Sequence, residues 1–182
     1  MSNCLSVGPY AFESCTNLQS INLSNCTSIG NYTCNHCSSL ISVGDLSHCT
    51  SIGKYAFRGC TSLAGTVNLS SCTSVGAYSF ENCSGITSVN LSSCTTIGNY
   101  AFNECPNLTS VTFGSNITTI GDYAFNDSDA TFYFYSSPHT VTYGGAGTFK
   151  NGATAIWDDG MQQYIYTWNR SANGGSGGWD PL

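Results

Sequence analysis

Charge is scarce in this chain. Only 8% of its 182 residues are Asp, Glu, Lys or Arg, against roughly a quarter in ordinary domains. Four are basic, Lys54, Arg58, Lys150 and Arg170, against ten acidic, for a net charge of −6. So few cations leave no basic stripe to neutralise phosphates, which excludes nucleic acid as a partner. The same shortage excludes charge-driven disorder and the Glu/Lys/Arg-rich composition of long helices and coiled coils. Long apolar runs are missing too. Nothing approaches the roughly 18 to 20 residues that span a bilayer, and Met1-Ser2-Asn3-Cys4-Leu5 has neither the charged nor the apolar region of a secretory signal. No Gly-rich phosphate loop ending in Lys-Ser/Thr and no dinucleotide fingerprint occurs, so no cofactor is expected.

What is present is apolar, aromatic and turn-prone: 41% hydrophobic and 13% aromatic residues, with 20 glycines and 11 cysteines. The size suits one domain with a continuous core. Ile-Gly-x-Tyr-Ala-Phe recurs with small changes, its glycine at Gly8, Gly30, Gly53, Gly76, Gly98 and Gly121, at spacings of 22, 23, 23, 22 and 23. Two residues later comes a tyrosine column, Tyr10, Tyr32, Tyr55, Tyr78, Tyr100 and Tyr123. A phenylalanine column follows it, Phe12, Phe57, Phe80, Phe102 and Phe125, broken only by Cys34. A fixed period of this length marks a solenoid. Alternating runs such as Leu18-x-x-Ile21-x-Leu23 and Ile86-x-x-Val89-x-Leu91 add a short strand per unit. Leu18, Leu23, Leu63, Leu69, Leu91 and the Phe column are predicted to be interior.

Ten cysteines repeat at half the period, from Cys4 to Cys105 every 11 or 12 residues. The longer spacings mark single insertions near Gly44 and near Ala64-Gly65, which should bulge a loop without disturbing the stack. Zinc needs ligands that converge, whereas these cysteines are spread along the axis. Disulfides between stacked coils are within reach, but side chains in register point in parallel and the total is odd. Buried free thiols are the favoured reading. Cys34-Asn35-His36-Cys37, with His48-Cys49 nearby, could be a metal or redox site. The plainer reading is that Cys34 takes the place of the column Phe.

The unit Ile-Gly-x-Tyr-Ala-Phe-x-x-Cys-x-x-Leu-x-x-Val-x-Leu resembles the BspA-like, or Treponema pallidum-type, leucine-rich repeat over about residues 1 to 129. The resemblance implies a β-rich, right-handed solenoid of about 22–23 residues per coil with a parallel sheet on one side. It also implies an extracellular or cell-surface protein that binds other proteins or surfaces; a virion or appendage is the alternative setting. The chain departs from the family pattern where a proline commonly follows the strand Leu: Ser24, Ser47, Ser70, Ser92 and Gly114 stand there. The second Cys column, Cys26, Cys49, Cys72 and Cys94, is an addition.

Three regions are expected: the solenoid at 1–129, a degenerate repeat with a β-rich C-terminal cap at 130–170, and a Gly/Ser-rich flexible tail at 171–182. In the cap, Gly145-Ala146-Gly147-Thr148-Phe149 echoes Gly76-Ala77-Tyr78-Ser79-Phe80, and Thr131–Tyr135 and Tyr164–Trp168 read as strands. The tail would leave Trp179-Asp180-Pro181-Leu182 on a tether. At the other end Met1 stands where a strand Leu belongs. Met1, Leu5, Val7 and Phe12 are therefore expected to form an open apolar edge suited to self-association.

Catalysis has little support. His36, His48 and His139 lie in no nucleophile signature, and Asp158-Asp159 on a strand would point to opposite faces. No catalytic and no metal residue is assigned. Two ladders are better candidates. Ser20, Asn22, Thr66, Asn68, Ser88, Asn90, Ser110 and Thr112 would form a flat, uncharged binding face, although an exposed strand face is polar in any case. The tyrosine column is either a glycan-stacking ridge or a structural stack, the latter favoured. Recurrent Asn-x-Ser/Thr, as at Asn82, Asn107 and Asn116, points to a bacterial or viral origin, because glycans there would crowd the coil junctions. The leading functional expectation is a non-catalytic binding or adhesion module for a protein or glycan surface. The alternatives are an assembly subunit stacking through its N-terminal coil on further copies of itself, and an accessory domain of a longer protein.

Overall fold

A computed structural model of the protein describes residues 4–158, 162–171 and 177–182. From the third coil on, each coil makes two strands, because two segments of the repeat alternate inward and outward. The segment Cys-Thr-Ser-Ile-Gly makes a two-residue strand. Seven of these stack in parallel as one sheet: β1 (Ser6–Val7), β2 (Ser28–Ile29), β3 (Ser51–Ile52), β5 (Ser74–Val75), β7 (Thr96–Ile97), β9 (Thr119–Ile120) and β11 (Thr142–Tyr143). The Leu-x-x-Val-x-Leu segment builds the second sheet, from β4 (Ala64–Asn68), β6 (Gly85–Leu91), β8 (Ser110–Phe113), β10 (Thr131–Phe134) and β12 (Thr154–Asp158). To these β13 (Gln163–Asn169) and β14 (Gly178–Pro181) add antiparallel strands. A 3-10 turn at Pro138–Thr140 is the one helical element among the described residues. The molecule is thus a β-solenoid of about seven turns.

The repeat runs 22 or 23 residues, so equivalent side chains lie over one another at one strand spacing, about 4.8 Å. Val7, Ile29, Ile52, Val75, Ile97 and Ile120 line one interior wall, and Leu23, Leu46, Leu69, Leu91 and Phe113 the other. Between them Phe57, Phe80, Phe102, Phe125 and Phe149 stack with centroids 5.1 to 5.7 Å apart, all fully buried. Phe149 therefore carries the column one coil beyond the regular repeats. The glycine column follows from close approach. A Cβ on Gly53 or Gly98 would lie 2.5 or 2.4 Å from a backbone nitrogen of the preceding coil.

The insertions fall where the spacing placed them. Gly44 and Gly65 both take positive φ, +81° and +84°, and the pairing of β4 with β6 shifts register between Gly65 and Thr66. Before that point the second sheet is reduced to a bridge between Ser20 and Ser42, so the first two coils lack the strand expected there. Leu18 and Phe12 are half-buried rather than interior, since they pack on the core from the first coil, with a neighbour on one side only.

Of the expected flexible tail, residues 172–176 lie outside the described residues, and its end is ordered rather than tethered. Gly178–Pro181 pairs with β13, and Trp179 is buried against Phe149, Trp168, Phe132 and Phe134 at 4.9 to 6.3 Å. Its indole N–H donates to the Tyr143 hydroxyl at 2.9 Å, and that of Trp168 to the Ala146 carbonyl at 3.0 Å. A run of Ser, Ala, Asn and Gly has the composition of a tether, but the apolar indole beyond it gains more from covering the core end than from water.

Because Phe80 has ring neighbours on both sides, Phe80→Ala should cost about 3 to 5 kcal/mol of folding free energy. Urea titration of the variant against the parent chain measures it, and a loss under 1 kcal/mol would contradict the packing described here.

Candidate functional site

The strand-face residues come together as two rows. Thr66, Ser88 and Ser110 are cross-strand neighbours, as are Asn68, Asn90 and Thr112. All are exposed or half-exposed. Thr66 Oγ1 and Ser88 Oγ share a hydrogen bond at 2.7 Å. The asparagines also hold the chain: the N–H groups of Ser24, Ser70 and Ser92 donate to Asn22, Asn68 and Asn90 Oδ1 at 3.0, 3.3 and 3.1 Å. These Asx turns bend the backbone after each Asn. Ser20 and Asn22 are exposed but lie beyond the Gly44 bulge, outside the paired strands.

The tyrosines form one continuous stack. Tyr10, Tyr32, Tyr55, Tyr78, Tyr100 and Tyr123 pack with centroids 4.6 to 4.9 Å apart and planes within 10° of parallel. The face of Tyr123 turned away from Tyr100 rests on Gly147, the glycine that occupies the next tyrosine position. Between neighbouring tyrosines the ring faces cover one another and leave edges and hydroxyls for solvent. All six tyrosines have φ between +55° and +60°. That left-handed backbone costs a non-glycine residue roughly 1 to 2 kcal/mol, offset here by stacking of about 0.5 to 1.5 kcal/mol per pair.

At the N-terminal edge Leu5 is 65% exposed, but Val7 is buried, because pairing of β1 with β2 turns it onto the core beside Ile29. Phe12 is half-buried and Met1 lies outside the described residues, so among the described members of this edge Leu5 is the exposed one.

Nine of the 11 cysteines are buried; Cys4 is half-buried and Cys15 exposed. The two columns do different work. Cys37, Cys60, Cys83 and Cys105 each donate Sγ–H to the carbonyl of the Phe-column residue one coil back, at 3.0 to 3.2 Å. Cys49, Cys72 and Cys94 donate to the carbonyl two residues ahead, at 3.1 to 3.2 Å. Burial pushes the thiols of Cys60, Cys72 and Cys105 up to about 12 and that of Cys94 to about 11. Among the described residues no group of three or more His, Cys, Asp or Glu is placed to hold a metal ion. Cys34 and Cys37 face the core, whereas His36 and His48 are exposed. Of the acidic pair, Asp159 lies outside the described residues.

One feature escaped the sequence reading. Thr112, Tyr133, Tyr135, Ile156, Asp158 and Gln163 line a depression of about 280 Å3 on the outer face of the C-terminal strands. Phe132 and Phe134 point inward, so alternation turns Tyr133 and Tyr135 out, 40% and 64% exposed. That parity was readable in Thr131–Tyr135; its convergence with Asp158 and Gln163 required the pairing of β12 with β13.

A model of the BspA-type leucine-rich repeat region matches in six copies, over residues 1–64 and 27–155. The chain belongs to the BspA-type leucine-rich repeat family. Among solved structures, the leucine-rich repeat protein of T. pallidum is 27% identical with a TM-score of 0.68, covering 76% of this chain and 66% of that one. A leucine-rich repeat protein from Bacteroides ovatus is 19% identical with a TM-score of 0.45, covering 84% of this chain and 58% of that one. The chain therefore spans less than two thirds of either protein. No curated protein matches it. The BspA-type repeat accounts for the glycine, Phe and first Cys columns. No helix among the described residues is long and apolar enough to cross a membrane.

Two predictions follow from the ladders. Tyr78→Ala keeps the left-handed backbone and loses two stacks, whereas Tyr78→Gly relieves the backbone. The alanine variant should thus be less stable than the glycine variant by about 1 kcal/mol, the reverse of the usual order, as read by thermal and urea unfolding. The buried thiols favour the neutral form. Their contribution to stability is complete below pH 9, where unfolded cysteine is still protonated, and is lost as pH rises from 9 toward 12. Urea midpoints across that range should fall steadily. Alkylation at pH 8 without reductant should label at most Cys4 and Cys15 in the folded chain and every cysteine once it is unfolded.

Proposed function

We propose that this chain is a non-catalytic binding module whose second-sheet face engages a protein or glycan surface outside the cell. The observation that supports this most directly is the pairing of Thr66, Ser88 and Ser110 beside Asn68, Asn90 and Thr112. The pairing makes a flat field of neutral donors and acceptors at one strand spacing. A rigid, pre-ordered array of this kind loses little entropy when it meets a partner. Repeat solenoids present extended surfaces in the same way. The family relationship supports a protein-interaction role. The absence of catalytic grouping in the sequence agrees with it, and surface localisation follows the family resemblance.

Immobilised mucin-type glycoproteins, intact and deglycosylated, separate glycan from protein recognition. Binding of the purified chain should weaken about tenfold or more, some 1.4 kcal/mol, in a variant carrying Asn90→Lys and Ser110→Lys. Unchanged retention by that variant, with its fold intact, would show that this face is not the one used.

A further inference from the structure

The second sheet changes character along the axis. Its outward hydroxyl row continues unbroken from Thr66, Ser88 and Ser110 through Thr131, Thr154 and Thr167. The adjacent row begins as Asn68, Asn90 and Thr112 and then becomes Tyr133, Ile156 and Ile165. Beside Tyr133 and Ile156 lie Tyr135 and the pair Asp158 and Gln163, whose Nε2 donates to Asp158 Oδ2 at 3.3 Å. A polar lane thus runs into an aromatic-walled depression.

We propose that this depression is a saccharide subsite, the terminal anchor for a neutral glycan chain lying along the solenoid axis. The inference rests on the binding-module reading and specifies its ligand. Three features select the ligand. First, Tyr133 and Tyr135 are 40% and 64% exposed and, among the described residues, no ring packs on either, so both present aromatic surface to the C–H face of a pyranose, in contrast to the mutually stacked rings of the tyrosine column. Second, Asp158 and Gln163 supply a carboxylate acceptor and an amide beside those rings, the combination that pairs with vicinal hydroxyls. Third, among the described residues the charged side chains on this face are Asp158 and Asp180, while Lys150 bonds Asp129 and the Arg170 guanidinium bonds Asn126 and the Phe149 carbonyl. An anionic sugar would meet carboxylates without a cation to pair with. An extended β-1,4-linked pyranose chain advances by close to one strand spacing per residue, so successive sugars meet successive coils. An extended peptide, whose like-facing side chains repeat every two residues, falls out of step with that array.

Affinity electrophoresis in native gels cast with hydroxyethylcellulose, a β-1,3-glucan or a galactomannan tests this directly, with polygalacturonate as the anionic comparison. The chain should be retarded by at least one neutral polymer and not by polygalacturonate. Tyr133→Ala and Tyr135→Ala should each weaken retardation tenfold or more, and Tyr133→Phe should retain most of it. Near-UV circular dichroism reports whether each variant is folded. Retardation that survives both alanine substitutions but is lost with Asn90→Lys overturns the subsite and leaves the strand-face reading in place. Retardation by polygalacturonate equal to that by the neutral polymers overturns the ligand class. Absence of retardation by all three neutral polymers overturns the glycan proposal, and glycoprotein binding that persists after deglycosylation would then assign the face to a protein partner.

Discussion

Every coil is held to the next by backbone hydrogen bonds in register, and that single constraint sets the chemistry of the whole molecule. Tyr10, Tyr32 and Tyr55 N–H groups reach carbonyls of the following coil at 2.9 to 3.0 Å, and Gly30, Gly53, Gly76, Gly98 and Gly121 reach back to the preceding one at 2.8 to 2.9 Å. Once the register is fixed, each residue type is judged by how well it stacks on its own kind. Aromatic rings, threonine hydroxyls and thiols do this well. Thr27, Thr50, Thr73, Thr95 and Thr118 each donate to the carbonyl of the equivalent position one coil back, at 2.9 to 3.2 Å. Like charges stack badly, which accounts for their scarcity. Where charge enters the column after the Phe ladder, it alternates with partners: Glu13 with Asn35, and Arg58 with Glu81.

The cysteines fit the same logic. A thiol fills a space too small for leucine and still offers a weak donor to a carbonyl, in the Phe column as a second donor beside the N–H groups of Cys15, Cys37 and Cys60 on Phe12, Cys34 and Phe57. The column at Cys37, Cys60, Cys83 and Cys105 thereby stitches each turn to its predecessor, and Cys49, Cys72 and Cys94 close the turn ahead of the short strand. Parallel thiols directed at carbonyls are not directed at one another.

The solenoid was legible in the sequence because its evidence is redundant. The column glycine recurs six times from Gly8 to Gly121, and an error at one position, such as Cys34 for Phe, is outvoted by the rest. The end of the molecule had no such redundancy. Trp179 follows glycines and serine, and composition alone does not report that its ring is buried in the core. Val7 was misjudged for a related reason: neighbours across a strand, not position in the chain, decide its burial. The tyrosine column shows a further limit. Its period was plain, but the left-handed backbone that stacks the rings and hides their faces is a property of dihedral angles that no spacing reports. The depression at Tyr133 joins residues from four strands, β8, β10, β12 and β13, and the antiparallel pairing of β12 with β13 breaks the repeat.

Uniform coils carry a hazard of their own. If one turn is nearly interchangeable with the next, the chain can thread itself one whole repeat out of phase and lose little energy, since tyrosine would still meet tyrosine and glycine still meet glycine. What distinguishes the correct threading is the part of the structure that does not repeat. The aromatic cluster of Phe132, Phe134, Phe149, Trp168 and Trp179 can assemble in one alignment of the strands. Arg58 finds the Glu81 carboxylate in one alignment as well. The irregular end therefore acts as the phase marker of a periodic object, selecting among near-degenerate foldings the one in which the two sheets close.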